Sequence, residues 1–402
     1  MKRLQTGTMK LPVTRYCRSI ALVLLLLLGW PTLHAQVFLD DAHRFELFGD
    51  VRLRFEADWD SRHENGTRRD DRERLRLRTR LGLEIHPADR WGLVVRGRTG
   101  SQDSQQSPFL TFHDFEGGPR DHVSAVLDQY YLKGAVGGAS GWLGRNEFPF
   151  FTANESEMLW DKDATILGAY LDYKLPIELV ESHLRGGFFG LPDGAVDLRG
   201  RMAAVQAVLK KELGQGWVLE GAVGCFNLDG NAGVKHLLDG NGRRDYQIGA
   251  TSLKLSHTFR KGADQGVPLK ASWGGDVFHN FQHYSVADPD LVSATYRHDK
   301  TGAVFTTALG QRTEANKRGE WEIRYTIGYI EKLAVNAAYA QDDWVRWGKG
   351  PQTDSSNLRG HEMGLRYWLA KNFDVHARFY AVESITTPQD GLRFRLDLNY
   401  KF

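Results

Sequence analysis

The sequence lacks any apolar run of the roughly 18 residues that a membrane-crossing helix requires, so a bundle of membrane helices is excluded. It has little cysteine. Of the two, Cys17 lies in an expected leader, and Cys225 alone forms no internal disulfide and sits in a strand pattern rather than a ligand cluster. It lacks an excess of either charge, with 52 Lys and Arg against 50 Asp and Glu, which gives no case for nucleic-acid binding. It also lacks catalytic and metal motifs. His361-Glu362-Met363-Gly364-Leu365 begins like a zinc-protease helix but ends on Leu365 instead of a second imidazole. Asp229-Gly230-Asn231 and Asp239-Gly240-Asn241 have no spaced carboxylates and read as turns. Ser256 and His257 are strand neighbours that point to opposite faces, so they make no nucleophile–base pair. No enzyme activity, cofactor or metal is expected.

What the chain does have begins with an export leader. Lys2, Arg3, Lys10, Arg15 and Arg18 precede the apolar stretch from Ile20 to Trp30, and Leu33-His34-Ala35 suits cleavage before Gln36. The leader is complete from Met9 as well as from Met1. Cys17 precedes the apolar stretch, which argues against a lipoprotein. The expected organisation is a signal peptide over 1–35 and one domain over 36–402, slightly acidic once the five basic residues are removed.

That domain alternates with a period of two nearly end to end. Over 44–60, Phe45, Leu47, Val51, Leu53, Phe55, Ala57 and Trp59 alternate with Arg44, Glu46, Asp50, Arg52, Arg54, Glu56 and Asp58. Over 73–86, Leu75, Leu77, Leu81, Leu83 and Ile85 oppose Arg74, Arg76, Arg78, Arg80, Glu84 and His86. Fourteen further segments follow, from 90–100 to 391–402. Short connectors such as Pro87-Ala88-Asp89 and Lys371-Asn372 alternate with long ones at 61–72, 101–121, 149–163, 229–245, 282–299 and 331–359. Short turns at one end and long loops at the other predict an all-β fold, a closed antiparallel transmembrane β-barrel in the bacterial outer membrane. Termini on one side require an even count. The alternating segment 333–344 is therefore assigned to a long external excursion, leaving sixteen strands, with eighteen as the alternative. The last strand alternates Leu392, Phe394, Leu396, Leu398, Tyr400 and Phe402 with polar residues and stops on Phe402, the pattern that barrel-insertion machinery reads.

The stretches Arg72–Glu84 (RERLRLRTRLGLE), Leu127–Lys133 (LDQYYLK), Leu143–Phe151 (LGRNEFPFF), Leu159–Asp163 (LWDKD) and Gly319–Tyr329 (GEWEIRYTIGY) resemble, in order and spacing, the bacterial "putative porin" family. The resemblance implies a β-barrel channel with its solute unassigned. More distantly the arginine-rich N-terminal strand resembles that of alginate-export barrels, whose later motifs have no counterpart here. A polysaccharide export channel is the alternative function.

In a closed barrel the last strand meets the first, and the polar faces of neighbouring strands share the lumen. Arg393 and Arg395, Arg52 and Arg54, Arg74, Arg76, Arg78 and Arg80, and Arg96 and Arg98 then form one arginine-rich wall. Guanidinium stays charged and offers a planar donor fork to carboxylate or phosphate. The wall therefore predicts a pore-lining, anion-selective surface, unless these arginines pair with strand acids as a structural ladder. Loop 149–163 carries Glu155, Glu157, Asp161 and Asp163, and folded inward it would form a constriction whose acids face the wall. Aromatics at strand ends, among them Trp59, Trp91, Tyr130, Trp142, Trp217, Tyr367, Trp368 and Tyr400, read as interfacial girdles. Expected partners are outer-membrane lipid and lipopolysaccharide, the insertion machinery through 391–402, small anionic solutes and sister subunits of a homotrimer.

Overall fold

The computed structural model describes residues 37–154, 156–230, 244–259, 267–313, 316–349 and 352–402. The expected leader and Glu155 lie outside the described residues. Period-two patterning becomes a closed sheet of sixteen long strands. They are β1 (Phe45–Arg62), β2 (Arg72–Ala88), β3 (Trp91–Thr99), β4 (Ala125–Val136), β5 (Ala139–Asn146), β6 (Ile166–Lys174), β7 (Glu181–Asp193) and β8 (Asp197–Gly214), then β9 (Trp217–Asp229), β10 (Tyr246–Thr258), β11 (Leu269–Asn280), β12 (Thr301–Gln311), β13 (Trp321–Ile330), β14 (Leu358–Ala370), β15 (Phe373–Ser384) and β16 (Asp390–Lys401). Each pairs antiparallel with the next, and β16 pairs with β1, setting Leu398 opposite Leu53 and Lys401 opposite Asp50. The expected count of sixteen stands. Helix is confined, among the described residues, to Leu291–Thr295, capped by the Asp290 side chain.

Alternation sorts side chains between lipid and lumen. On β8, Val205 and Leu209 are exposed to the outside while Met202, Ala204, Gln206 and Val208 are buried inside. A one-residue slip would reverse every side chain, so the pattern sets the register. Trp91, Tyr130 and Tyr367 are exposed on the outer surface as girdle residues are. Trp368 departs from that expectation: it is buried inside, with the guanidinium carbons of Arg312 and Arg366 each 5.2 Å from its ring.

Tight turns at 89–90, 137–138, 215–216 and 371–372 close one end, and the long connectors gather at the other. Three of these, 100–124, 147–165 and 331–357, turn into the barrel and interlock. Gln105 Nε2 donates to the Ala338 carbonyl at 2.6 Å, the Asp161 amide to the Tyr339 carbonyl at 2.7 Å, and Trp160 stacks on Tyr339 with ring centres 4.8 Å apart.

The segment 333–344 is not an external excursion. Leu333, Ala334, Val335 and Ala337 are fully buried. The reason lies in the opposite wall. Towards the long-loop end the inward faces of β7 to β10 are apolar, with Phe189, Leu191, Met202, Phe226, Leu228, Tyr246 and Ile248 in one buried cluster with residues of connectors 147–165 and 331–357. Apolar surface in a watery lumen is covered when apolar loop residues fold onto it. The lumen is therefore two-sided, with one apolar half packed by loops and one arginine-rich half.

Candidate functional site

The arginine-rich half is assembled from β16, β1, β2 and β3, adjacent through barrel closure. Arg54 grips Asp397 bidentately, Nε to Oδ1 at 2.7 Å and Nη2 to Oδ2 at 3.0 Å, and both side chains are fully buried. Arg52 donates to Asn399 Oδ1 at 2.5 Å and keeps part of its exposure. Arg78 and Arg80 divide Asp50 between them, at 2.7 and 2.6 Å. Arg96 bonds Asp128 at 2.7 Å and Glu147 at 3.0 Å. Arg98 turns instead to backbone carbonyls, that of Ser104 at 2.8 Å and that of Ser107 at 3.2 Å. Arg393 bonds Asp58 at 2.6 Å, and Arg395 bonds Glu56 at 2.7 Å. Arg74 also bonds Glu56, while Arg72 at 3.9 Å and Arg76 at 3.7 Å lie within ion-pair distance of it.

All ten predicted arginines thus come together, as a paired network rather than a row of free cations. Charge-assisted forks between neighbouring strands hold them in place. Seven of the ten are buried; Arg52, Arg74 and Arg80 keep some exposure. Guanidiniums remain in excess, as the four around Glu56 show.

The loop acids divide. Asp163 reaches the wall, 2.9 Å from Arg80 and 3.7 Å from Arg78, in direct ion pairs. These arginines hold its carboxyl below the usual range against the opposing effect of burial. Asp161 is buried, accepts the Asp163 amide at 2.7 Å and is pushed above that range by burial and by neighbouring Glu157. Glu157 faces Lys162 at 3.5 Å, and burial lifts it to about 7. Neither meets the wall. The loop is pinned by Asp276, which accepts the Ala153 and Asn154 amides at 2.8 and 3.0 Å, and by Gln206, which accepts the Phe151 amide at 2.8 Å.

Two contributors have no separate signal in the sequence. Asp343, on connector 331–357, bridges Arg54 at 3.4 Å, Arg378 at 2.7 Å and also Arg395. Its carboxyl, despite burial, is held well below the usual range by those three cations. Phe109, on connector 100–124, lies under Arg54 at 4.1 Å and Arg76 at 5.0 Å, a cation–π platform. Both residues sit on long connectors, and only the inward fold of those connectors brings them to the wall.

Where these connectors approach the outer ends of β2 and β16 they leave a cavity of about 650 Å³, lined by Arg72, Arg74, Arg76, Arg346, Arg393 and Arg395 among others. Among the described residues no cluster of side chains suited to a metal is present.

A family model described as "Putative porin" matches residues 34–199 and 252–402, most of the chain. No protein of curated function matches it. Among solved structures, the high-pH structure of Pseudomonas putida OprB is 12% identical, with 89% of this chain and 94% of that one covered and a TM-score of 0.54. Pseudomonas aeruginosa OccK8 (OprE) is 10% identical, with 91% and 99% covered and a TM-score of 0.48. The outer-membrane channel DcaP of Acinetobacter baumannii is 12% identical, with 89% and 97% covered and a TM-score of 0.47. The alginate-export alternative gains no support from these matches. With a closed sixteen-strand barrel and a family match over most of its length, this chain belongs to the "putative porin" family of bacterial outer-membrane channels.

Proposed function

We propose that the barrel passes small hydrophilic solutes by passive diffusion and prefers anions, with the arginine wall supplying the preference and loop 149–163 narrowing the passage. One observation carries this reading: Arg72, Arg74, Arg76, Arg393 and Arg395 share two carboxylates, Glu56 and Asp58, so pairing leaves positive charge in excess even with Asp343 beside Arg395. Most of the wall is held rigid by its pairs and acts as a fixed field, which the low-dielectric barrel walls focus along the water-filled lumen. Direct contact with solute falls to Arg52, Arg74 and Arg80, the three that keep some exposure. An export leader over 1–35, assembly as a homotrimer and contacts with lipopolysaccharide belong to the same proposal.

The test is conductance in planar bilayers under a salt gradient. The native barrel should give channel steps with a reversal potential displaced toward the anion. The triple change R76S/R78S/R80S should lower anion preference several-fold while steps persist. An unchanged reversal potential in that variant would overturn the role of the wall.

A further inference from the structure

The cavity at the outer ends of β2 and β16 has a composition that a general diffusion pathway does not require. Five of its six guanidiniums, those of Arg72, Arg74, Arg76, Arg393 and Arg395, share two carboxylates, Glu56 and Asp58, lying behind the lining. Arg395 has Asp343 in addition. The sixth, Arg346, donates to the Ser61 hydroxyl at 3.2 Å and to the Asp70 carbonyl at 2.6 Å. Among the described residues no carboxylate lies within ion-pair distance of it. Burial first, then Arg72, Arg69 and Arg393, lower its guanidinium to about 10 against the opposing effect of Asp58. Arg76 is more than nine-tenths buried and its Nε has no partner. The carboxylates in the lining itself are Asp103, Asp121 and Asp342.

Hydroxyls complete the donor set. Ser101, Ser107 and Thr111 face the same space, and Ser107 Oγ is already 3.1 Å from Arg76 Nη2. The volume suits a small organic solute rather than a single hydrated ion. Asp103 and His122 at the rim are exposed, so the cavity is open to solvent at the long-loop end. Guanidinium forks recognise carboxylate and phosphate oxygens bidentately, and several forks converging on one space favour a ligand with several anionic groups.

We infer that this cavity is a saturable binding site for multivalent anions, compounds bearing two or more carboxylate or phosphate groups, captured at the outer mouth before they enter the lumen. The inference rests on the reading of the barrel as an anion-preferring channel and narrows its solute class. Monovalent anions engage one fork and are held weakly. Asp342 competes with the ligand for Arg76 and Arg395, so it tunes affinity downward.

The test is calorimetric titration of the folded full-length barrel in detergent with citrate, with inorganic pyrophosphate and with chloride, beside bilayer recordings of the same preparation. Citrate or pyrophosphate should bind saturably, and chloride should not; whichever polyanion binds more tightly identifies the carboxylate or the phosphate source. R72S and R346S should each weaken that binding about tenfold. D342N should strengthen it several-fold, a change of opposite sign that a misfolded barrel cannot imitate. Absence of saturable binding by both polyanions, or equal affinity in native, R346S and D342N barrels, overturns the site while leaving anion preference in the recordings untouched. Saturable binding in a barrel without anion preference would instead remove the anion-preferring reading and keep the site.

Discussion

At the scale of single residues, the lumen is governed by how many guanidiniums each carboxylate serves. Glu56 is fully buried among four of them, a placement that would be ruinous for a lone carboxylate and is tolerable because its charge is matched on every side. Asp342 is in the opposite situation. Burial and the adjacent Asp343 lift its carboxyl to about 6, and Arg395 of β16, Arg76 of β2 and Arg54 of β1 only partly offset them. Asp161 of the neighbouring loop is the other acid that senses it. Protonation of Asp342 removes one negative charge from the cavity, so anion binding should strengthen as pH falls through that value. Sulfate keeps its charge over this range. Its affinity should be several-fold higher at about pH 5 than at about pH 7.5. By linkage, bound sulfate should in turn raise the carboxyl further. Titration calorimetry at the two pH values checks this, and D342N should flatten the difference; a D342N barrel with the native pH response would refute the assignment to Asp342.

At the scale of elements, the inward connectors are the parts that distinguish this barrel from an empty cylinder. Connector 147–165 is fastened by Asp276 and Gln206 on one wall and by Asp163 on the other. Connector 331–357 is latched by Asp343, whose two oxygens serve Arg54, Arg378 and Arg395 while its carbonyl accepts from Arg393 at 2.5 Å. Asp343→Asn removes the charge that three cations share. The expected loss is roughly 2 kcal/mol of loop docking, below that for a fully buried pair because the side chain keeps 27% of its exposure. It should appear as faster limited proteolysis within 331–357 and a larger single-channel conductance, with the barrel itself still folded. Native-like proteolysis and conductance in this variant would show that the apolar contacts of Leu333 to Tyr339 hold the loop unaided.

For the whole molecule, closure is the decisive event, because an unclosed sheet exposes two edges to lipid with no partner for their backbone groups. The seam between β16 and β1 ends in a reciprocal pair. The Gly49 amide donates to the Phe402 carbonyl at 3.0 Å, and the Phe402 amide to the Gly49 carbonyl at 3.1 Å. A Cβ at position 49 would lie 2.4 Å from the Arg80 carbonyl oxygen and 2.8 Å from Phe402 Cζ. The first of these is backbone and cannot swing aside. Gly49→Ala should therefore destabilise the closed barrel by about 1–3 kcal/mol. Heat-modifiable electrophoretic mobility should show a lower unfolding temperature. An unaltered transition would mean that the seam relaxes without strain.

How much was legible in the sequence differs between wall and loops. Strand count follows from period-two patterning, and so does facing on strands with one polar face, where each residue's face is set by its neighbours alone; the arginines of β1, β2, β3 and β16 become one wall by the topology of closure. The carboxylates of β1, Asp50 and Glu56, were legible with them. Asp343, Phe109 and Arg346 were not. Their place depends on long connectors folding inward, and the apolar lumen half that draws them in is built from Met202, Phe226 and Ile248 on strands that carry apolar residues on both faces. Alternation read from such strands does not say which apolar face meets lipid. The sequence by itself therefore determined the cylinder, because backbone geometry is local. Only the tertiary structure decided what fills it, because covering an apolar surface with a distant loop is a choice made by packing across the lumen.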